Sequence, residues 1–375
     1  KIVDIEDIRK KREKKEIGIP IENINKKELK RRGHEIGDIL GCDEKGEEIC
    51  VRKGKGNLYV DGDMEKEQLF DFMRSQIYQN IQRGDSMVIV DLGSRIYKRE
   101  LWIYLTIHGY RVDSYNMDCM TESDCFNCLD GLGAENEEQI VMIANDIIDD
   151  QKYKFMTYPV ETACKALLSA VLLASLTEME ESDRNMLEIA TIFRLGVSGT
   201  MLDKILHVMF EELDETSSAK QLFAMYSEAE EGIRMEAIQK IGNALAVYEK
   251  RANGSLCDNF RTNRYDMEMP VKEKSVLFIE SGQLPEDKVL FSVFMERLYD
   301  SMLKKAEERQ QDVTVMLLDY PYYGGLCGLE KYMEEGPEKG ICTTLYEDDR
   351  KLDGSGYAPH LVELYSLCDI SVCIK

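Results

Sequence analysis

The amino-acid sequence predicts an α/β fold in which one parallel sheet is interrupted by an all-helical segment. Short apolar runs such as Ser86–Leu92 and Val313–Tyr320 are typical of strands buried on both faces of a sheet. Strands and helices alternate up to about residue 116, which indicates parallel strands joined by crossovers. Between about Glu135 and Tyr265 the apolar residues recur every three to four positions, as in helices, before the alternating pattern resumes.

The first part of the chain is expected to build one side of the sheet. Residues 37–52 have the pattern of a hairpin, and residues 57–60 of a short strand. Along the chain follow a helix over 68–82, a strand over 86–92, a helix over 96–108 and a strand over 110–116.

The central part is expected to form about five helices, with glycine, serine and threonine at the breaks. After it, strands are predicted over 275–281, 313–320, 341–347 and 369–375, with helices near 286–309 and 360–367. The chain is thereby divided into a charged N-terminal arm (1–33), a sheet domain made of 34–133 and 266–375, and an all-α domain (134–265).

The composition favours protein partners over nucleic acid. The 375 residues carry a net charge of −23, so the surface as a whole repels phosphate backbones, and direct DNA binding is disfavoured. The helical segment alone carries 23 acidic against 13 basic residues, which indicates either a solvated face or a docking surface for basic proteins. Its methionines are expected to fill the core or to form an adaptable binding surface; they include Met179, Met186, Met201, Met209, Met225 and Met235.

Cysteine usage indicates a reducing compartment. Eleven scattered cysteines, an odd number, are typical of buried free thiols, and the lone CxxC pair of Cys125 and Cys128 lacks the further ligands that zinc needs. No stretch reaches the roughly 20 apolar residues of a membrane span. Because the chain begins at Lys1 without a methionine, an N-terminal anchor ahead of it stays open.

The loop that would bind phosphate in such a fold lies between the predicted strand 57–60 and the helix that follows. A working loop needs glycines that expose backbone N–H groups, a lysine for the terminal phosphates and a hydroxyl for magnesium. The segment Gly62–Leu69 reads GDMEKEQL, and by itself it would not be identified as a phosphate loop.

The segment just downstream, Arg83–Leu132, resembles the conjugative coupling proteins of the TraG/TraD type, nearly without gaps. The likeness extends over roughly residues 35–375 and is greatest to versions on mobile elements of Gram-positive bacteria. The matching positions are Asn57, Gly62, Gly84, Asp85, Asp91, Tyr97, His108–Tyr110, Asn127–Leu129, Leu317–Gly325 and the LCDISVCIK end of the chain.

That resemblance implies a RecA-like, P-loop-type parallel sheet flanked by helices, with an inserted all-α domain over 134–265. Active members are ring-forming motors that use ATP and magnesium to feed DNA and relaxase into type IV secretion channels. Oligomer formation and contact with basic cargo through the all-α domain are further expectations from the resemblance.

The departures from the family fall on its nucleotide site. Gly62 is kept, but Glu67, Gln68 and Leu69 stand where the family places its second glycine, its lysine and its magnesium-binding hydroxyl. Asp91 is kept at the strand end that follows. In the Walker B segment Asp319 is kept while Tyr320 replaces the catalytic glutamate, and the glutamine sensor corresponds to Glu347.

These replacements predict an inactive homologue that needs no cofactor. Without the lysine and the hydroxyl, neither the β/γ-phosphates nor magnesium is held, so hydrolysis is not expected. The predicted role is a scaffold or adaptor for protein cargo in conjugation. Its partners would be other secretion components, such as an active coupling ATPase or a basic relaxase. The expected place is the cytoplasm or the cytoplasmic face of the membrane.

Two other functions remain open on the sequence. One is an active or nucleotide-sensing ATPase that uses a non-standard site or a partner's residues. The other is an acidic regulator that mimics DNA and binds a basic DNA-processing enzyme. Fold resemblance alone does not separate these functions, since one fold supports many.

Overall fold

The computed structural model describes residues 38–42, 48–51, 56–62, 66–91, 96–117, 119–120, 123–149, 156–194, 198–252, 260–281, 287–318, 326, 328–348, 364–368 and 370–374. The strands are β1 (Asp38–Cys42), β2 (Glu48–Val51), β3 (Leu58–Gly62), β4 (Ser86–Asp91), β5 (Arg111–Asn116), β6 (Ser275–Glu280), β7 (Val313–Leu317), β8 (Ile341–Asp348) and β9 (Ile370–Ile374). The helices are α1 (Lys66–Arg83), α2 (Ile96–Ile107), α3 (Glu137–Asp149), α4 (Tyr158–Glu178), α5 (Met186–Phe193), α6 (Gly199–Glu211), α7 (Ser218–Ser227), α8 (Glu231–Ala252), α9 (Met269–Lys272), α10 (Asp287–Lys305) and α11 (Leu329–Glu335).

Seven strands form one sheet in the order β5-β6-β4-β7-β8-β3-β9, and β1 and β2 form a separate antiparallel pair. The pairs β3–β8, β3–β9, β4–β6, β4–β7 and β7–β8 are parallel. Every residue of β4 and β6 is buried, as their unbroken apolar runs predict for strands covered on both faces. The predicted α/β class with a parallel sheet is confirmed.

Helices α1 and α2 cover one face of this sheet. Phe72, Met73 and Ile77 of α1 pack in one buried cluster with alternate residues of the strands, among them Ile89 and Phe278. Alternate residues share a face because side chains along a strand point to opposite sides in turn. The buried side chains of Met73 and Ile77, four residues apart, thus hold α1 against this face of the sheet.

Contacts divide the chain into two compact units. The described residues of Lys1–Tyr115, Asp266–Gly282 and Leu298–Lys375 form the sheet unit, and those of Asn116–Tyr265 and Gln283–Arg297 form the helical unit. The interval 134–265 contains α3 to α8 and no strand among its described residues.

The helical unit has its own core, and α4 runs through it. The prediction that no stretch is long and apolar enough for a membrane span is wrong, because α4, alone among the helices of the described residues, meets both criteria, with a mean hydropathy of 1.5 over its apolar window. That window is 72% buried inside the protein, and Leu167, Leu168 and Leu172 have no exposed surface. The apolar composition of α4 is therefore explained by its packing against other helices of the unit.

Three helices of the structure were not predicted from the sequence. Helix α7 buries Ala219, Phe223 and Tyr226, so the i, i+4, i+7 signal was present in a stretch of ten residues. Helices α9 and α11 have four and seven residues, too few for a periodic pattern to stand out. Of the predicted helix over 360–367, residues 360–363 lie outside the described residues and residues 364–366 are helical.

One buried amide ties β3 to its surroundings. Asn57, just before β3, donates from Nδ2 to the carbonyl oxygens of Met333 (2.6 Å) and Leu367 (3.1 Å). Its Oδ1 accepts from the backbone N–H of Thr343 in β8, at 2.9 Å. Since Asn57 is only 1% exposed, water cannot replace these partners in a variant that lacks the amide.

We predict that Asn57→Ala lowers the free energy of unfolding of the sheet unit by about 3 kcal/mol, because it leaves buried polar groups unsatisfied. Trp102 in α2 is the single tryptophan, so its fluorescence during urea unfolding reports on this unit. The exposed Gln310, which lies in the same unit, provides the control, and Gln310→Ala should change stability by less than about 0.5 kcal/mol. Equal effects of the two substitutions would contradict the role assigned to Asn57.

Candidate functional site

The strand order gives a topological switch point, called the crevice below, at the carboxyl ends of β3 and β8. These strands are neighbours, yet the chain leaves β3 towards β4 on one side and leaves β8 towards β9 on the other. In open α/β sheets, ligands bind at such a switch point, outside the carboxyl ends of the strands. The register pairs Asp61 with Glu347 and Gly62 with Asp348 there. The topology therefore selects, independently of any motif, the place where Gly62 and Glu347 were predicted to lie.

Helix α1 starts next to this crevice. It begins at Lys66, so Glu67, Gln68 and Leu69 all lie in its first turn. A first turn carries backbone N–H groups without helical partners and the positive end of the helix dipole, which is why phosphates bind at such ends. Gln68 supplies no cation and Leu69 no hydroxyl, while Glu67 brings a carboxyl group that the dipole favours. At the positions that the resemblance assigns to the lysine and the hydroxyl, the first turn has Gln68 and Leu69, and its cationic residue is Lys66, two positions earlier.

Residues with carboxyl groups also occupy the strand ends. Asp61 is in β3, and its register partner Glu347 and the following Asp348 are in β8. The carboxyl ends of these two strands therefore carry three acidic residues and no basic one. Asp63 and Glu65, which stand between β3 and α1 in the sequence, lie outside the described residues.

Asp91 lies at the end of β4, away from the crevice. It is 4% exposed and pairs in register with Glu280 at the end of β6. Lys98 donates from Nζ to Glu280 Oε2 (3.0 Å) and to Ser114 Oγ (2.8 Å), so the buried carboxylate has a cation beside it. The sequence did not indicate the cluster of Lys98, Ser114 and Glu280, because these side chains meet only when α2, β5 and β6 are assembled.

The Walker B positions can be followed only to the strand that precedes them. Strand β7 ends at Leu317, and the N–H of the next residue, Leu318, donates to the carbonyl of Val90 in β4 at 3.3 Å. Asp319 and Tyr320 lie outside the described residues. The sites predicted from the sequence therefore fall into two groups, with Gly62, Glu67–Leu69 and Glu347 gathered around the crevice and Asp91 two strands away from β8.

Comparison with solved structures gives a consistent result. The conjugative coupling protein TrwB, in an unbound form lacking 70 residues, matches at a TM-score of 0.63 and 16% identity, over 92% of this chain and 74% of that one. TrwB in complex with ADP and Mg²⁺ matches at 0.61 and 13% identity, over 93% and 77%. The fold is that of the conjugative coupling proteins.

A second neighbour belongs to a different protein of secretion systems. VirB4 of Thermoanaerobacter pseudethanolicus matches at a TM-score of 0.52 and 12% identity, over 90% of this chain and 84% of that one. No family profile and no characterised protein sequence matches the chain. The RecA-like, P-loop-type sheet flanked by helices that the resemblance implied is confirmed at the level of the fold.

The positions that carry the resemblance to coupling proteins have structural roles. Tyr97 is buried in the core between α2 and the sheet, and the hydroxyl of Tyr110 donates to the carbonyl of Asp85 at 2.9 Å. Gly84, between α1 and β4, has a φ of +88°, which favours glycine. In the helical unit, Asn127 donates to the carbonyl of Arg184 (2.8 Å) and accepts from the N–H of Leu129. None of these contacts depends on a nucleotide.

The CxxC pair is part of the helical core. Cys125 and Cys128 are both free and buried, and burial raises the pKa of the Cys128 thiol to about 12. Zinc and redox chemistry both use the thiolate, which this environment disfavours. Among the residues that the structure describes, no three His, Cys, Asp or Glu side chains are grouped so as to hold a metal ion. The sequence-based interpretation of Cys125 and Cys128 as structural thiols fits this geometry.

We predict that iodoacetamide at pH 8 modifies Cys128 at least about 100-fold more slowly in the folded protein than in urea, because the thiolate is scarce and shielded. Cys164, whose pKa burial also raises to about 12, should behave alike, and the partly exposed Cys119 is the control. Mass spectrometry of the peptides gives the rates. The Cys128 rate should still be rising with pH above pH 10, since its pKa lies higher. Fast labelling of Cys128 at pH 8 would contradict a structural role.

Proposed function

We propose that the chain is a coupling-protein-like scaffold that takes part in conjugative transfer or type IV secretion without hydrolysing ATP. The observation that carries the proposal is the first turn of α1. There Gln68 and Leu69 stand where the resemblance to coupling proteins places the nucleotide-binding lysine and the magnesium-binding hydroxyl. The fold, with its crevice at β3 and β8, provides the context in which those positions matter.

The acidic strand ends support the same proposal. Asp61, Glu347 and Asp348 add negative charge where coupling proteins of the resembling family bind a triphosphate. The negative charge of Glu67 beside the helix N-terminus would stabilise α1 in the way that a bound phosphate otherwise does. The proposed state of this site is therefore empty of nucleotide and needs no cofactor. Tyr320, in place of a catalytic glutamate, agrees with loss of turnover.

Protein partners would then carry the function. We assign partner binding to the all-α domain, residues 134–265, whose excess of ten negative charges favours basic proteins such as a relaxase. An active coupling ATPase is the other partner that the proposal implies, since transfer needs energy that this chain would not supply. The proposed place is the cytoplasm, at the inner face of the membrane, where coupling-protein-like cargo enters secretion channels.

Calorimetric titration with ATP and magnesium tests the proposal directly. We expect no binding stronger than a Kd of about 1 mM, because two phosphate-binding residues are replaced and acidic residues stand at the ends of β3 and β8. The control titration uses ADP with magnesium, which removes one phosphate and its repulsion. A Kd for ATP of about 10 µM or tighter would overturn the proposal in favour of an active or nucleotide-sensing ATPase.

Restoring the family's residues should recover little. We predict that the variant Glu67→Gly/Gln68→Lys/Leu69→Ser/Tyr320→Glu binds ATP weakly at best and shows no steady-state hydrolysis, because Glu347 and the acidic strand ends remain. The matched control is Gln68→Lys alone, which adds the cation without the glycine or the hydroxyl. Robust phosphate release by the fourfold variant, measured with an enzyme-coupled assay, would show that the scaffold remains poised for catalysis.

A further inference from the structure

An open apolar cleft lies in the helical unit between α4, α5 and α6. Its volume is about 350 Å³, near the lower end of the roughly 300–1,000 Å³ of ligand-binding pockets. Aliphatic, aromatic and methionine side chains line it, among them Val171, Met179, Leu206 and Met209. Of its two polar lining residues, Ser175 is satisfied by donating to the carbonyl of Leu172 at 2.6 Å, and Glu178 is exposed. A partner that binds in the cleft would therefore bury apolar surface and form few hydrogen bonds.

The cleft continues into an apolar stripe on α6. Met201, Val208 and Met209 are 51%, 60% and 53% exposed, and Ile205 between them is half-buried. Their positions are four, three and one residues apart, so they follow one side of the helix. Such a stripe on the surface of a folded unit is typical of the groove that receives the apolar face of a partner helix. Methionines suit this use, because their flexible side chains adapt to different partners.

Negative charge surrounds one end of the cleft. The segments Glu178–Arg184 and Glu211–Lys220 begin at the C-terminal ends of α4 and α6 and together carry eight carboxyl groups and two cations. Both cations are engaged locally, since Arg184 Nε donates to the carbonyl of Met179 and Lys220 Nζ to those of Glu211 and Leu213. The C-terminal ends of two helices add further negative potential.

This combination selects the chemistry of the occupant. Anionic lipid headgroups and nucleic acids are repelled by the acidic segments, and a second copy of this unit would bring like charges face to face. A basic segment with one apolar face meets both requirements. We propose that the cleft of α4, α5 and α6 binds an amphipathic helix of a partner protein, with apolar residues at i, i+3/i+4 and i+7 and with flanking lysines or arginines.

This inference rests on the proposed partner-binding role of the helical domain, and it names the surface and the class of ligand. Binding would place apolar side chains of the partner against Met209 and into the cleft, and basic side chains beside Glu180, Glu181, Glu211 and Glu212. The apolar contact would supply most of the affinity, whereas the charges would make the affinity fall with salt concentration.

The test measures fluorescence anisotropy of a labelled 18-residue peptide with leucines on one helical face and lysines on its flanks, added to the full chain. We expect a Kd of about 1–50 µM at low salt. The replacement Met209→Gln removes apolar contact without changing charge and should weaken binding at least tenfold. Met225→Gln on α7, at a residue equally exposed (55%) but outside the cleft, is the matched control and should change the Kd by less than twofold.

The charges are tested separately. The variant Glu180→Gln/Glu181→Gln/Glu211→Gln/Glu212→Gln should bind the peptide about fivefold more weakly at low salt and like the unmodified protein in 1 M salt. A peptide with the same leucines but glutamates on its flanks should not bind measurably. Equal binding of the two peptides, or equal effects of Met209→Gln and Met225→Gln, would overturn the proposal.

One competitor distinguishes a partner from this chain itself. Residues 1–33 carry 12 basic and 7 acidic residues. If a synthetic peptide of these residues displaced the probe with equal affinity, the cleft would belong to the chain's own arm and the partner proposal would fail. If neither the peptide nor nucleotide bound, only this inference would be contradicted. If ATP bound tightly and the peptide still bound, only the inactive-ATPase proposal would be contradicted.

Discussion

The candidate site depends on the position of β3, which lies second from one edge of the sheet, between β8 and β9. Along its length β3 is hydrogen-bonded to β8 on one side and to β9 on the other, and Asn57 fastens its start to Met333, Thr343 and Leu367. Because the chain leaves β3 and β8 in opposite directions, the carboxyl ends of these strands open a crevice. Substitutions of residues at the crevice therefore leave the strand order and the contacts of Asn57 unchanged.

The chain separates the residues that build the fold from those that would bind nucleotide. Tyr97, Tyr110 and Asn127, which match the coupling proteins, are buried and engaged in packing or in hydrogen bonds to the backbone. Gln68 and Leu69, which depart from them, begin a helix whose formation requires neither a lysine nor a hydroxyl. Loss of phosphate binding therefore need not cost stability, since carboxyl groups near a helix N-terminus are themselves favourable.

The sequence predicted the strands more completely than the helices. Runs such as residues 276–279 are apolar throughout and flanked by polar residues, which is typical of strands buried on both faces. The short helices α9 and α11 are held by their surroundings and leave no periodic signal of their own. At the site, Gly62 and Glu347 could be placed from the motif order, and the register puts them one residue apart across β3 and β8. The buried cluster of Lys98, Ser114 and Glu280 could not, because it joins residues more than 160 positions apart.

The central claim is that an intact coupling-protein fold has a crevice that no longer holds nucleotide, and thermodynamic linkage tests it most directly. A ligand at 1,000 times its Kd stabilises the folded state by about 4 kcal/mol. The measurement is urea unfolding followed by the fluorescence of Trp102, with and without 5 mM ATP and magnesium, against the same concentration of magnesium alone. The account predicts stabilisation by at most about 1 kcal/mol, the value for a Kd of about 1 mM, whereas stabilisation by about 4 kcal/mol, the value for a Kd of about 10 µM, would contradict it.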